Sequence, residues 1–313
     1  MNKTFGRLLS LVFSIALFAG YGYSAEKDIF DYVGQQQAGE DVKKIVFIAD
    51  AGTHGGRGNH EFMAGSILLA RQLNAAYPDV HAVVYSTNQW PKSLADVDAV
   101  IVALNHGQRA AKDPEIFSAI RKGAGFMAIH FGVEVNQGEE GMNYLRWMGG
   151  YFETKWSVNP WWKPEFKDLP KHPTTRGVQP FSVQDEWYYH MRFVDDMIGV
   201  TPVLSAIPPI NTVSKETSDR GGNPDVYQAV ADGKPQHMAW AYERSDQGRG
   251  FGFTGLHLHV NLGDDNFRQL LLNAVAWIAK LDIPDDGVPG SSVDSQSLES
   301  LIDDAQTALK NGK

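Results

Sequence analysis

Four short, almost continuously apolar segments in the first half of the chain constrain its fold more than any other feature. Each has the length and composition of a buried strand, and helical spacing of apolar residues follows the first and third of them. Strands that are buried on both faces and alternate with helices are typical of a parallel sheet covered on both sides. The sequence therefore predicts a doubly wound α/β fold, with strands at 42–50, 80–85, 97–104 and 125–130 and helices at 60–77, 113–122 and 267–280.

The second half of the chain departs from this pattern. Residues 138–235 are loop-rich and crowded with Trp, Tyr and Pro, which predicts an aromatic-rich insertion over the carboxyl edge of the sheet rather than an independent domain. Strand patterns return as a pair at 237–242 and 250–256. We therefore expect one α/β domain at 40–281, followed at 282–313 by a linker and a short amphipathic helix.

The N-terminus has the features of an export signal. Lys3 and Arg7 precede an apolar run at 8–19, and small residues follow up to Ala25. This arrangement is typical of a secretory signal peptide at 1–25, and the apolar run is short for a membrane span. The sequence thus predicts a periplasmic or secreted protein with no membrane segment after cleavage; an uncleaved anchor is the alternative.

Composition excludes several classes of function. The chain of 313 residues has a formal net charge of −9 and no Lys/Arg cluster, so we expect no nucleic-acid partner, because an acidic surface repels phosphates. It contains no cysteine, which removes thiol nucleophiles, disulfides and thiolate metal sites. The glycine-rich loop at 51–61 lacks both the phosphate-loop ending and the dinucleotide fingerprint, so no nucleotide cofactor is predicted.

Imidazoles follow several predicted strands at the point where those strands end. They are His54 and His60 (with Glu61) after the first strand, His130 at the end of the fourth, and His257 and His259 after the last. The carboxyl ends of parallel strands meet at one edge, so these side chains are expected to converge there. Alternation also places the last pair on one face if that segment is extended. Such a group could bind a divalent metal, zinc or manganese, or perform acid–base chemistry. Surface or purely structural histidines are the alternative.

The segment 185–190, Asp-Glu-Trp-Tyr-Tyr-His, combines a carboxylate, phenols and an imidazole. If it is extended, Glu186, Tyr188 and His190 share one face. Sugars offer hydroxyls to polar groups and C–H faces to aromatic rings, so the pattern favours carbohydrate recognition. Glu186 is the candidate general acid or base, provided that its pocket raises its pKa. A structural strand with a buried, hydrogen-bonded Glu is the alternative.

Further aromatic and acidic side chains extend this interpretation. A candidate stacking platform for a sugar ring is formed by Trp156, Trp161 and Trp162, with ordinary packing of a lid as the alternative. Direct hydrolysis of an acetal normally uses two carboxylates, and Glu134 or Glu61 could supply the second. A keto sugar instead needs its carbonyl polarised, which suits a histidine-rich or metal site.

Five segments, taken in order, resemble the trehalose-utilisation (ThuA-like) family of the class I glutamine-amidotransferase-like superfamily. They are HGGRGNHEFMAG, GAGFMAIHFG, DEWYYHMRF, the Gln-His-Met-Ala-Trp stretch at 236–240 and the long run at 248–279. The resemblance covers residues 44–279 and implies a three-layer, flavodoxin-like α/β fold. It also implies an association with sugar utilisation, in some cases with 3-keto sugars made by partner dehydrogenases.

The resemblance bears on individual residues as well. Glutaminases of the superfamily carry Cys at the strand-to-helix turn where this chain has His130, so glutaminase activity is not expected. The superfamily's catalytic His follows the last strand, which is the place of His257. The family pattern favours His130, Glu186, His237 and His257 as pocket residues.

Together these observations predict an exported carbohydrate-active enzyme that hydrolyses, eliminates or isomerises a glycoside, with a 3-keto derivative as one candidate substrate. The predicted catalytic residues are His130, Glu186 and His257, and the predicted metal ligands are His60, His130 and His257. Contacts with the sugar or glycoside are predicted for seven side chains: His54, Glu61, Trp156, Tyr188, His190, His237 and His259. The alternative is a non-catalytic sugar-binding protein of an exported pathway, and a scaffold that docks through its C-terminal helix is a third hypothesis.

Overall fold

The computed structural model describes residues 27–313, so the predicted signal peptide at 1–25 lies outside the described residues. The helices are α1 (Tyr32–Gln37), α2 (Phe62–Ala76), α3 (Gln108–Lys112), α4 (Pro114–Arg121), α5 (Glu139–Met148), α6 (Pro224–Ala231), α7 (Asp265–Ile278) and α8 (Ser295–Lys310). The strands are β1 (Lys43–Ala49), β2 (Val80–Ser86), β3 (Ala99–Ala103), β4 (Gly125–Ile129), β5 (Gly150–Tyr151), β6 (Trp161–Trp162), β7 (Asp185–Glu186), β8 (Arg192–Phe193), β9 (Val200–Ala206), β10 (Gln236–Glu243) and β11 (Arg249–Phe253).

Seven strands form the central sheet, in the order β2-β1-β3-β4-β11-β10-β9. The first five of these run parallel, and β10 is antiparallel to both of its neighbours. The parallel strands are apolar on both faces because both faces are covered: in β1, Ile45 and Phe47 pack into one core while Val46 and Ile48 pack into the other. The predicted α/β fold with a mostly parallel sheet is confirmed.

Helices cover the two faces of the sheet and complete the three layers. Helices α2, α7 and α8 pack into one core, and α3, α4 and α5 pack into the other. Asp113 caps α4 by accepting hydrogen bonds from two backbone N–H groups, with Pro114 in the first turn as predicted. Among residues 27–313, no helix has the length and hydropathy needed to cross a bilayer.

The segment 138–235 is more regular than the sequence indicates. It contains α5, α6, the edge strand β9 and two short ladders, β5 with β8 and β6 with β7. Pro202 interrupts the strand pattern of β9, but a proline is tolerated there because an edge strand has one unpaired side. Tyr144 and Trp147 of α5 enter the same core as β4, so the segment is built into the domain and does not merely lie over it.

The C-terminal helix packs on the domain itself. Leu298, Leu301 and Ile302 of α8 are buried in the core that also contains α2 and α7. The helix lies against α2 and against the 3-10 turn His259–Gly263. This places α8 beside the carboxyl edge of the sheet.

The register of the sheet determines where the chain leaves it. Ala49 at the end of β1 pairs with Ala103 of β3, Ala103 pairs with Ile129 of β4, and Ile129 pairs with Phe253 of β11. Four parallel strands therefore end in one row. The strand order also reverses at β1, since β2 lies on one side of it and β3 on the other. Open α/β sheets bind ligands at such a point.

One cross-strand pair fixes the packing of β10 on β11. Trp240 lies opposite Gly252, is fully buried, and donates its indole N–H to the carbonyl oxygen of Met148 at 2.7 Å. A Cβ atom at position 252 would lie 2.1 Å from the indole ring. The glycine thus makes room for the tryptophan.

Replacing Gly252 with Ala should lower the free energy of unfolding by about 2 to 3 kcal/mol, because the fully buried indole has to move. Urea unfolding at neutral pH measures this change. Gly39→Ala is the matched control: its added methyl meets no atom within 4 Å, and we expect a change within about 0.5 kcal/mol. Equal stability of the two variants would contradict the packing argument.

Candidate metal centre

Four side chains from distant parts of the chain meet beyond the carboxyl edge of the sheet. They are His60, His130, Glu186 and His257, and one nitrogen or oxygen atom of each lies within 4.8 Å of the others. We call them the four-residue cluster. The histidines follow β1, β4 and β11, whose ends are aligned, and β7 supplies Glu186 from the segment 138–235. All three imidazoles are buried.

Sharp backbone turns aim these side chains at one another. His60 and His130 have positive φ angles of 52° and 51°, and Leu256, which precedes His257, has a φ of 82°. Residues other than glycine rarely adopt this region, because the Cβ atom crowds the backbone. Such strain persists where surrounding structure imposes it and concentrates at functional sites.

Hydrogen bonds at the outer ring nitrogens fix the tautomer and the orientation of the buried imidazoles. Nδ1 of His130 lies 2.8 Å from the carbonyl oxygen of Thr254, and Nδ1 of His60 lies 2.9 Å from that of His54. A carbonyl oxygen only accepts, so each Nδ1 carries the proton. In the neutral rings, Nε2 therefore bears a lone pair directed into the cluster.

In His257 the outer nitrogen, which bonds to an oxygen, is Nε2, and the inward nitrogen is Nδ1. Its Nε2 lies 3.0 Å from Oδ1 of Asn59, and the Asn59 amide is oriented by donating its own N–H to the carbonyl oxygen of Gly55 at 2.7 Å. Nε2 of His257 is therefore the donor, and Nδ1 faces Oε2 of Glu186 at 3.0 Å. Three lone pairs and a carboxylate thus point to one place.

The distances between these facing atoms match those of ligands on a common ion. The two Nε2 atoms of His60 and His130 are 3.2 Å apart, and Nε2 of His130 is 3.5 Å from Oε2 of Glu186. Ligands held about 2.1 Å from one ion are separated by about 3.0 to 3.5 Å when they are neighbours in its coordination sphere. The cluster could hold a divalent cation, with the outer oxygens orienting its imidazole ligands.

The charge states of the cluster are those that metal ligands require. Burial opposes ionisation of Glu186, but where protons occupy the inward nitrogens of His130 and His257, their hydrogen bonds and charge outweigh burial and lower the pKa of Glu186 to about 2; a cation held by the same two lone pairs would act in the same direction. Burial lowers the pKa of His60 to about 3, and repulsion from the neighbouring imidazoles adds to this effect. At neutral pH Glu186 is a carboxylate and His60 is neutral. The condition for Glu186 to act as a general acid, a raised pKa, is therefore not met.

Tyr188 lies against the cluster, as the sequence predicts. Its hydroxyl oxygen is 3.1 Å from Nε2 of His130 and 3.3 Å from Oε2 of Glu186. Complete burial and the neighbouring carboxylate of Glu186 raise the pKa of the phenol well above its usual value. Tyr188 is therefore a protonated hydrogen-bond donor at the centre of the site.

Asp185 organises the site. From the sequence, a role was predicted for the neighbouring Glu186, and that of Asp185 was missed. Its fully buried carboxylate accepts hydrogen bonds from the backbone N–H groups of Leu256 at 2.8 Å and His257 at 3.1 Å. It also accepts from the side-chain amide of Asn261 at 2.9 Å. Asp185 thus joins β7 to the turn that carries His257. A second carboxylate directly before Glu186 was the available signal, but the partners at 256–261 that give it its role are distant in sequence.

Aromatic rings pack against two members of the cluster, His257 and His60. Trp161 packs edge-on against His257, with ring centroids 4.5 Å apart, and remains 48% exposed. The His54 ring stacks on His60 at 3.6 Å and lies 5.8 Å from the ring of Phe131. His106 packs on the same Phe131 ring at 4.1 Å. Of the three predicted stacking tryptophans, Trp161 is the one beside the cluster.

Neither candidate for a second catalytic carboxylate belongs to the cluster. Glu134 is buried and binds the guanidinium of Arg220 through two contacts, at 2.6 and 2.9 Å. Glu61 turns back on its own loop and accepts the backbone N–H of Gly58 at 3.0 Å. Glu134 is therefore a counter-ion of Arg220, which itself lies 5.4 Å from the Phe131 ring.

His190 does not join Glu186 and Tyr188, so the expectation of a shared face is wrong. The strand β7 ends at Glu186, and His190 has a positive φ of 60°, which turns its ring away. Its Nδ1 lies 3.1 Å from the carbonyl oxygen of Trp156, and the two rings pack 4.4 Å apart. Trp156 in turn stacks under the guanidinium of Arg192 at 3.5 Å. These side chains form a separate group.

His259 and His237 also lie outside the cluster. The segment 256–259 is not extended, since a 3-10 turn begins at His259, so the predicted shared face with His257 is wrong. His259 is buried and its Nε2 lies 3.2 Å from the carbonyl oxygen of Leu298 in α8. His237 on β10 lies 2.8 Å, through Nδ1, from the hydroxyl of Ser205 on β9.

The chain matches one family model and resembles two solved structures, among others. The family model ThuA, described as trehalose utilisation, matches residues 54–278. A solved structure from Bacteroides uniformis described as ThuA-like shares 16% identity and has a TM-score of 0.46, covering 77% of this chain and 93% of that chain. PurLQS from Thermotoga maritima shares 13% identity with a TM-score of 0.37, covering 85% and 98%. No curated protein matches the sequence. Since the family model spans well over half of the chain, this protein belongs to the ThuA (trehalose utilisation) family.

Proposed function

We propose that this protein is an exported, metal-dependent enzyme that acts on a glycoside, with a 3-keto glycoside as its substrate. One observation carries the proposal: three buried imidazoles, each held by an oxygen on its outer nitrogen, direct their lone pairs at one another and at Glu186. Family membership supports a sugar substrate. Export is supported by the signal-peptide pattern at residues 1–25.

A bound divalent cation is the simplest way to stabilise this arrangement. Lone pairs that face each other in a buried site repel, and burying them without a partner is unfavourable. The hydroxyl of Tyr188 offers one hydrogen to His130 or Glu186, and one further proton satisfies only one more pair of acceptors, whereas a cation coordinates all four ligand atoms. Zinc with four protein ligands has no open position in structural sites, while manganese accepts six ligands and leaves room for a substrate oxygen. We therefore favour manganese for the active enzyme.

The chain's own residues supply the remaining chemistry. A cation in the cluster would polarise the carbonyl oxygen of a keto sugar, which acidifies the neighbouring C–H. Tyr188 can donate its hydroxyl hydrogen to an oxygen that gains negative charge. His54 is exposed and stacks on His60, and it is placed to accept the proton from the carbon next to the keto group. The electrons of the broken C–H bond then form a double bond as the glycosidic C–O bond breaks, and the departing oxygen takes up a proton.

The flanking aromatic rings suit a sugar ring. Trp161 beside His257 and Phe131 beside His54 offer apolar surfaces near the cluster. His106 and Arg220 border Phe131 and can donate hydrogen bonds to hydroxyl groups. The buried Glu134 neutralises Arg220 and holds its guanidinium in place.

The metal-stripped protein should bind one Mn²⁺ per chain, as measured by isothermal titration calorimetry. His130→Ala and Glu186→Gln each remove a ligand and should weaken affinity by more than about 100-fold. His237→Gln is the control, because His237 is an imidazole outside the cluster. It should bind as the wild type does. Binding that is absent, or equal in all four proteins, would rule out the centre.

Turnover of a 3-keto glycoside should require the metal. We expect a chelator to abolish release of the leaving group and added Mn²⁺ to restore it. Glu186→Gln should retain sugar binding but lose turnover. Zero turnover by the wild type both with and without chelator would remove the keto-sugar version. If the wild type also turned over no plain glycoside yet bound sugar, the non-catalytic sugar-binding alternative would be correct.

The depressed pKa of His60 sets the direction of acid sensitivity in the metal-free protein. An unfolded imidazole takes up a proton near pH 6.5, whereas the folded one stays neutral to about pH 3. The stability that this difference contributes is present above pH 6.5 and is lost as the pH falls toward 3. The depressed pKa of Glu186, about 2 instead of 4.5, acts in the same direction at lower pH.

Lowering the pH from 7 to 4 with a chelator present should therefore destabilise the wild type more than His60→Gln, by about 2 to 3 kcal/mol. The glutamine variant keeps a hydrogen-bond donor, but its side chain does not ionise and so has no lowered pKa. Urea unfolding at the two pH values gives the comparison. The same loss of stability in both proteins would show that His60 is not held neutral.

A further inference from the structure

We propose that α8 is a brace for the metal-binding turns and that Arg57 is the positioning residue through which it acts. The inference rests on the proposed metal centre. It assigns a role to the C-terminal helix, whose residues lie beyond the family match at 54–278. Two independent ties connect α8 to the segments that carry the cluster.

The loop 51–61 contributes more to the cluster than one ligand. It carries His60, and it also supplies two of the three orienting oxygens: the carbonyl of His54 for His60 and the side chain of Asn59 for His257. A shift of this loop would therefore misalign two imidazoles at once. Loss of an orienting group of this kind typically weakens metal affinity by about 10- to 100-fold.

The backbone around Arg57 is easily deformed. Gly55, Gly56 and Gly58 have positive φ angles of 85°, 87° and 87°. Glycine in this region has little intrinsic preference for one conformation, so contacts from outside the loop help to hold its shape. The side chain of Arg57 makes one of these contacts.

Arg57 binds α8 at three points. Its Nε is 2.8 Å from Oε2 of Glu299, and its Nη2 is 3.0 Å from Oδ1 of Asp303. Nη2 also donates to the backbone carbonyl oxygen of Glu299 at 3.2 Å. The two carboxylates raise the pKa of the guanidinium further, so it is charged at all relevant pH values.

The second tie reaches the turn that carries His257. Nε2 of His259 donates to the carbonyl oxygen of Leu298 in α8, and the backbone N–H of His259 donates to the carbonyl oxygen of Gly58 at 2.9 Å. The loop, the turn and the helix thus form a closed triangle of polar contacts. A cavity of about 190 Å³ lies between them, so the loop is not closely packed against the helix at this point.

The ion pairs of Arg57 are exposed to solvent, with side-chain exposures of 44% for Arg57, 61% for Glu299 and 69% for Asp303. Salt screens such pairs, whereas the buried cluster is shielded from it. A role in positioning therefore makes a specific prediction: metal affinity should depend on ionic strength through Arg57. A merely structural contact would leave metal affinity unchanged.

The test compares Mn²⁺ affinity of full-length Arg57→Ala and Glu299→Ala/Asp303→Ala with that of Asp304→Ala. Asp304 is the matched control because it pairs with Arg71 on α2 and not with the loop. We expect a dissociation constant raised about three- to tenfold in the first two and unchanged in the control. Between 50 and 500 mM KCl, the wild type should lose affinity more steeply than Arg57→Ala. Combining all three substitutions should add little, because they remove one interaction.

Two failures are distinguishable. If the wild type binds no Mn²⁺, the proposal of the metal centre and the proposal of the brace are both wrong. If the wild type binds Mn²⁺ but the Arg57 and Glu299/Asp303 variants match Asp304→Ala in affinity and salt dependence, the brace alone is wrong. Urea unfolding of the metal-free variants checks that each is folded, and equal stability with unequal affinity is the expected result.

Discussion

The hydrogen bond on the outer nitrogen of each clustered imidazole is the interaction on which the site depends. Oxygens of Thr254, His54 and Asn59 fix the three tautomers and leave every inward nitrogen with a lone pair. These oxygens can act together because β1, β4 and β11 end in one row. The central sheet sets the positions of the rings, and backbone strain at the turns sets their direction.

The fold and the convergence of the cluster could be predicted because both follow from short-range patterns. Apolar runs with intervening helical spacing predict a parallel sheet, and histidines at strand ends then meet at one edge whatever their separation along the chain. His60, His130 and His257 were placed correctly by this reasoning. Glu186 belongs to an irregular segment, and its inclusion relied on the family resemblance and on its aromatic neighbours.

What could not be predicted depends on single backbone angles and long-range contacts. Alternation would have put His190 beside Tyr188 and His259 beside His257, but one positive φ or one 3-10 turn reverses the direction of a side chain. The ionisation state of Glu186 could not be predicted from the sequence either. Burial alone raises the pKa of a carboxyl, and only its contacts with two imidazoles lower it.

The buried carboxylate of Asp185 has a consequence for how this fold can vary. The segment that delivers Glu186 also contributes the edge strand β9 to the central sheet, and Asp185 attaches it to the turn behind β11. The segment 138–235 therefore cannot be exchanged as a self-contained cassette. A chimera with a relative's version would have to bring a matching partner for the 256–261 backbone, because otherwise Glu186 and His257 would no longer be aligned with each other.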